Sequence, residues 1–262
     1  PIPSTAKFIG VTGTNGKTTT TDLLRQLLVL KKQIVTTVGT LGVYHNHDKQ
    51  NDFSLTSPSY IDLRKVIFKN RESNYFVLEV SSHSLTQNRI YKLKLNKALW
   101  TSFSQDHLDY HKTMDEYFNA KKKILDYTDN RILVAKEDEN IITKLDKEDV
   151  EIVEVNINLE NSFFKINYNQ KNLALATRAL GGFGFNFSDK ELESVRPTPG
   201  RFDILKNGTN LAIIDFAHTP DALDNICINL KSSFPDKRLI VLFGCGGNRD
   251  KGKRVLMGKV AK

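Results

Sequence analysis

The chain has 262 residues, 39% of them hydrophobic, and a formal net charge of +8 at pH 7. That is enough apolar material for one large domain, or for one domain and part of another. The basic residues are scattered without a run of five or six, which argues against a nucleic-acid tail and suits a small anionic substrate at least as well as a polyanion.

Cys227 and Cys245 are the only cysteines. They share no Cys-x-x-Cys spacing, which argues against a disulfide framework or a structural zinc and suits a reducing compartment. No window approaches 18 consecutive apolar residues and no signal-peptide pattern opens the chain, so a cytoplasmic protein without membrane insertion is expected.

Short runs rich in β-branched residues alternate with helix-like stretches along the chain. FIGVTG (8–13) precedes a helix over Lys17–Leu30, and IVTTVG (34–39) precedes one over Ser59–Lys69. YFVLEV (75–80) and KALWTSF (97–103) lead to a helix over Met114–Tyr127, and RILVA (131–135) to one over Asn172–Leu180. LAIIDFA (211–217), a helix over Pro220–Lys231 and RLIVLFG (238–244) complete the series. Near-continuous apolar strands with helices between them predict an α/β fold built on a mostly parallel sheet covered on both faces. Two prolines and a glycine in RPTPGRF (196–202) break this pattern. They predict a boundary there, with a first domain over 1–200 and a truncated, Rossmann-like α/β domain over 201–262. Both ends read as cut, so a longer native protein is expected.

GTNGKTT (13–19) sits between the first strand and the first helix. Such a turn points backbone N–H groups at one spot, and the helix dipole adds positive potential. Gly13 and Gly16 let the backbone approach an anion, Lys17 reaches terminal phosphates and the Thr18 hydroxyl suits a magnesium ion. The usual spacing places a glycine at position 11, where this chain has Val11. The loop predicts a nucleotide-phosphate site without naming a reaction.

Glu79 ends an apolar strand, at the sheet edge where ligands gather in open parallel sheets, and a carboxylate there either completes a magnesium shell or caps a neighbouring turn. Asp106 to His111 packs two aspartates and two histidines into six residues after another strand, a pattern suited to metal or proton handling and equally to a polar loop bonding its own backbone. Lys121 opens a Lys-Lys-Lys run that, by pattern, is a solvated helix face.

These segments, GTNGKTT (13–19), EVSSHSLTQNRI (79–90), DHLDYHKTMDEYFNAK (106–121), PGRF (199–202), DFAHTPDAL (215–223) and FGCGGNRDKGKR (243–254), resemble in order the Mur ligases of peptidoglycan synthesis. The second, third and last are similar to the UDP-MurNAc-tripeptide synthetase, or MurE, type. The resemblance implies a three-domain, ATP-dependent amide ligase using Mg2+, of which this chain holds the central ATP-binding domain and the start of the C-terminal domain. It implies phosphorylation of the D-Glu carboxylate of UDP-MurNAc-L-Ala-D-Glu by ATP, then attack by the amine of a diamino acid, meso-diaminopimelate being expected.

Carried over by motif, Gly13, Thr14, Asn15, Gly16, Lys17, Thr18 and Thr19 match the ATP-phosphate loop. Asn172, Arg201, Asp215 and His218 match further nucleotide contacts. Thr18, Glu79, His107 and Lys121 match metal-site positions, Lys121 as a carbamylated lysine, and Lys17, Glu79, His107 and Lys121 form the implied catalytic set. Thr56, Ser57, Ser81, Gln87 and Arg89 match contacts to the UDP-MurNAc-dipeptide, and Arg249 one to the incoming amino acid. Thr56-Ser57-Pro58 stands where the family usually has Thr-Thr-Pro. Between Val155 and Asn172 the family has a longer segment, by about thirty residues, of the kind expected to vary in flexible stretches. A folylpolyglutamate synthetase-like ligase and a nucleotide-binding module without ligase activity are the alternatives.

Overall fold

A computed structural model describes residues 5–53, 55–161, 163–245 and 252–262. Its strands are β1 (Lys7–Thr12), β2 (Val35–Gly39), β3 (Gly42–His45), β4 (Asp48–Asn51), β5 (Tyr75–Glu79), β6 (Lys97–Trp100), β7 (Ile132–Ala135), β8 (Val150–Val153), β9 (Asp203–Asn207) and β10 (Asn210–Ile214). Its α-helices are α1 (Lys17–Leu30), α2 (Tyr60–Lys69), α3 (Ser82–Thr86), α4 (Leu108–His111), α5 (Met114–Lys122), α6 (Glu139–Ile142), α7 (Asn167–Gly181), α8 (Asp189–Glu193), α9 (Pro220–Ser233) and α10 (Gly252–Val260).

The chain divides into two compact units, one of residues 1–103 and 119–196, the other of residues 104–118 and 197–262. The first holds an eight-stranded sheet in the order β4-β3-β2-β5-β1-β6-β7-β8. β2, β5, β1, β6, β7 and β8 pair in parallel, and β3 and β4 add an antiparallel edge. β1 lies between β5 and β6, with Val11 opposite Glu79 on one side and Leu99 on the other. This register brings the carboxyl ends of three strands level.

The sequence explains the core. In β1, β2 and β5 every residue beyond Lys7 is buried, as strands covered on both faces require. Leu23, Leu24, Leu27 and Leu28 of α1 pack with Ile9, Val11, Val77 and Leu99 from the sheet and Leu173, Ala176 and Leu180 of α7. Each fully buried Leu or Ile contributes roughly 1.5–3 kcal/mol relative to exposure. The stretch from Val155 to Asn172 carries Phe163 and Phe164 into this core and buries Ile166, and α7 begins at Asn167, earlier than the predicted Asn172.

The second unit holds a β9–β10 antiparallel hairpin, α9 and α10. Thr219 caps α9 by accepting from the Ala222 N–H, and Pro220 occupies its first turn. The apolar run at 238–244, predicted as a strand, forms none: Leu242 is 99% exposed and Ile240 78% exposed. A strand needs a neighbour for its backbone groups, and the hairpin does not pair with this run. None of the described helices is long and apolar enough to cross a membrane.

Candidate active site

β1 stops at Thr12 and the chain turns through Gly13–Gly16 into α1. Gly13 has φ of 146° and Gly16 of 86°. A Cβ on Gly13 would lie 2.1 Å from Thr101 Oγ1, and one on Gly16 would lie 2.6 Å from Asn172 Oδ1. Left-handed backbone and close neighbours therefore both require glycine at 16. The loop is pinned to the end of β6: Ser102 O accepts from Thr14 N at 2.9 Å, Ser102 Oγ from Asn15 N at 2.9 Å, and Thr101 Oγ1 donates to Asn15 O at 2.5 Å.

α1 opens with no side-chain cap and no acidic residue in its first turn. Its leading N–H groups and the positive end of its dipole thus face the loop, an arrangement suited to an anion. Two lysines add positive charge. Lys17 Nζ donates to Gly13 O at 2.8 Å and Thr14 O at 2.9 Å, and Lys121 Nζ donates to the same Gly13 O at 2.7 Å. Lys121 is 1% exposed, so the solvated helix face read from its Lys-Lys-Lys pattern is corrected; of the three, only Lys121 is buried. Successive side chains of a helix point about 100° apart, so three adjacent lysines cannot share one face, and the run alone does not say which of them turns inward.

Thr18, on the first turn of α1, donates to Glu79 Oε2 at 3.2 Å. Glu79 is 3% exposed at the end of β5. Thr40 grips the same carboxylate, its N–H donating to Oε1 at 2.8 Å and its hydroxyl lying 3.2 Å from Oε2. Beside this pair lies a small recess, open to solvent and lined by Thr18, Thr21, Asp22, Thr37, Tyr44 and Glu79 among others.

The residues matched to substrate contacts form one strip beside Glu79. Ser57 Oγ donates to Glu79 O at 2.8 Å and lies 3.3 Å from Ser81 Oγ. Ser81 caps α3 by accepting from Ser84 N. Arg89 donates to Ser57 O at 2.6 Å and Gln87 Oε1 at 2.6 Å, and Thr56 Oγ1 meets Thr40 Oγ1 at 3.1 Å. Asn172, buried on α7, stands against Gly16. The first unit therefore gathers the loop with Thr19, Glu79, Lys121, Asn172 and the strip from Thr56 to Arg89.

His107, Arg201, Asp215 and His218 belong to the second unit. His107 and His218 meet around a residue that motif reading left unassigned, Asp106, which is 3% exposed. His107 Nε2 lies 3.3 Å from Asp106 Oδ2, His218 Nε2 lies 3.4 Å from it, and Lys253 Nζ donates to Oδ1 at 3.2 Å. His107 has a left-handed φ of 54°. Arg201 stacks over Phe216 at 4.8 Å, and Asp215 accepts the Phe202 N–H at 2.8 Å. Burial pushes the Asp215 carboxyl up, against the hydrogen bond from Phe202 and the charge of Arg201. The sequence marks Asp106 only as part of a polar, histidine-bearing loop, because nothing in that loop shows that His218 and Lys253 will converge on it. Arg249 lies outside the described residues.

Burial opposes ionisation of Asp106, but the hydrogen bond from His218 and the charges of His107 and Lys253 outweigh it and hold the carboxyl far below its ordinary 3.8. A depressed carboxyl contributes stability that is present above the unfolded pKa and lost as pH falls toward the folded one. Thermal melts from pH 7 to pH 2 are expected to show a steep acid loss below about pH 4 in the native protein and a shallower one in Asp106→Asn. Identical acid limbs would remove Asp106 from that role.

The family chemistry implies a divalent cation. Thr18 and Glu79 supply hard oxygen donors in direct contact, which suits Mg2+, an ion that takes one or two protein oxygens and completes its shell with phosphates and water. Among the described residues no group of three or more His, Cys, Asp or Glu side chains is arranged to hold a metal. The residues thus fit a cation shared with a phosphate ligand rather than a cage made by the protein alone.

A strand–glycine loop–helix at the carboxyl edge of a mostly parallel sheet defines an α/β protein of the phosphate-loop class. Family models place it further: that of the Mur ligase middle domain matches residues 11–209, and that of the Mur ligase, glutamate ligase domain matches residues 200–262. The chain belongs to the Mur ligase family. It is 36% identical over 294 residues to the UDP-N-acetylmuramoyl-L-alanyl-D-glutamate--2,6-diaminopimelate ligase of Rickettsia montanensis, covering 97% of this chain and 61% of the relative. The protein of the same name from Aquifex aeolicus strain VF5 is 33% identical, with 97% and 58% covered. A solved ligase of that name superposes with a TM-score of 0.67 at 25% identity, over 98% of this chain and 60% of that one. A bifunctional folylpolyglutamate synthase/dihydrofolate synthase, solved with Mn, AMPPNP and L-glutamate bound, superposes with a TM-score of 0.68 at 17% identity, over 98% and 74%. At that identity the last likeness shows the fold alone, so fold does not separate the two ligase types.

The chain spans about six tenths of the length of the curated relatives it matches. The alignment to the Rickettsia protein runs over 294 positions, more than the chain's own 262, so the relative carries residues this chain lacks.

Proposed function

We propose that the protein of which this chain is part is a cytoplasmic ATP-dependent ligase that adds meso-diaminopimelate to UDP-MurNAc-L-Ala-D-Glu in peptidoglycan precursor synthesis. The Thr18–Glu79 contact at the mouth of the phosphate loop, in a chain of this family, carries the reading. The names of the relatives at 33–36% identity support the diamino acid, and residues 1–200 and 201–262 serve as the ATP-binding domain and the start of the last domain.

The chemistry follows from the poor electrophilicity of a carboxylate. Transfer of the terminal phosphoryl group of ATP to the D-Glu carboxylate makes an acyl phosphate and ADP. The amine attacks its carbonyl, and the tetrahedral adduct expels phosphate with loss of a proton from nitrogen. Carboxylate and phosphate repel, so the site must supply positive charge: the α1 N-terminus, Lys17 and, when bound, Mg2+ held by Thr18 and Glu79. The strip of Thr56, Ser57, Ser81, Gln87 and Arg89 positions the acceptor next to Glu79. Lys121, as a carbamate, would keep one N–H for Gly13 O and would supply an anionic oxygen able to hold the cation.

The test is phosphate release by the full-length protein with ATP and UDP-MurNAc-L-Ala-D-Glu, adding meso-diaminopimelate or L-lysine in turn. Release that depends on meso-diaminopimelate, with a matching tripeptide mass, is expected. Dependence on L-lysine would overturn the choice of amino acid, and turnover of a folate substrate instead would overturn the ligase type.

A further inference from the structure

We infer that Thr40, a residue matched to no motif, is the positioning residue for the Glu79 carboxylate and its link to the acceptor strip. The inference rests on Glu79 being the metal-side carboxylate proposed above.

Three observations carry it. Thr40 touches both oxygens of one buried carboxylate, through N–H at 2.8 Å and hydroxyl at 3.2 Å, so it fixes both the position and the rotation of the group. Gly39 makes room for this: a Cβ there would lie 2.1 Å from Glu79 Oε1. The carboxylate is therefore seated against bare backbone at the end of β2. Finally, Thr40 Oγ1 lies 3.1 Å from Thr56 Oγ1.

A carboxylate only accepts, and Thr40 has one hydroxyl proton. That hydroxyl is placed to donate to Glu79 Oε2 at 3.2 Å and to Thr56 Oγ1 at 3.1 Å, so the two oxygens share a single proton. A substrate group in the acceptor strip that donates to Thr56 Oγ1 takes the place of the Thr40 proton there and releases it to Glu79. Binding of the acceptor and the setting of the metal-side carboxylate are thus joined through one threonine.

The experiment uses the full-length protein with AMPPNP and Mn2+ as probes, Mn2+ binding being read by electron paramagnetic resonance. Thr40→Val keeps the shape and the N–H but removes the hydroxyl; Thr40→Ser keeps both donors. Thr40→Val is expected to weaken Mn2+ binding by about 10–100-fold and to raise the Mn2+ concentration needed for half-maximal turnover in parallel. The KM for ATP at saturating metal should stay within about threefold, and Thr40→Ser should restore the native Mn2+ affinity. Equal Mn2+ affinity in Thr40→Val and the native protein overturns the positioning role. Failure of Thr40→Ser to restore binding overturns the hydroxyl's part in it. Absence of Mn2+ binding in the native protein with AMPPNP instead overturns the metal reading of Glu79.

Discussion

Lys17→Met in the full-length protein is expected to lower ATP-dependent phosphate release by about 10²–10³-fold or more, with little change in melting temperature. The Lys17 ammonium rests on two carbonyls of its own loop, Gly13 O and Thr14 O. Such neutral acceptors hold a cation weakly relative to a polyphosphate, so an arriving anion draws it over. Met keeps the stem and removes the charge together with the two hydrogen bonds to loop carbonyls. What is lost is therefore small in the empty protein and large when negative charge moves between ATP and the carboxylate. Phosphate release assayed beside a thermal melt checks this. A folded variant retaining activity within about threefold would show that the loop does not hold the transferred phosphate.

Lys121→Met is expected to lower turnover by at least about 10–100-fold and leave the fold intact. Burying an ammonium costs free energy, and the bond to Gly13 O returns part of it. Met of similar length removes both, so the two changes oppose each other in stability. In activity they do not, because a carbamate needs the amine: the neutral Nζ attacks CO2, loses a proton and becomes an anion. Depleting CO2 from the buffer should lower the activity of the native protein and bicarbonate should restore it, while Lys121→Met responds to neither. A variant that unfolds would mark Lys121 as a structural group; native activity that ignores CO2 would rule out the carbamate.

Legibility in the sequence followed the range of the forces involved. α1 runs over the predicted Lys17–Leu30 because its apolar spacing and the preceding glycine are local signals. The central strands were legible because burial on both faces demands unbroken apolar runs. β4, Asp48–Asn51, was not: a polar edge strand is defined by its partner and not by its composition. The run at 238–244 shows the converse, since apolar residues without a neighbouring strand make no sheet. In the site, the loop declared itself by glycines, but Asp106, Thr40 and the burial of Lys121 depend on which distant groups arrive beside them. No spacing within one segment encodes that.

The placement of β1 bears on how the protein is made. β1 sits between β5 and β6, so during synthesis it has neither of these hydrogen-bonding neighbours until the chain reaches Tyr75, and the second only at Lys97. At the ~5–20 residues per second of translation, this leaves the apolar strand and the leucines of α1 waiting for seconds. Through that interval the phosphate loop cannot exist in its final form, because Thr101 and Ser102, which pin it, are not yet made. Apolar surface stays uncovered by its sheet partners during this wait, and the loop proposed to hold phosphate is complete only after β6 has emerged.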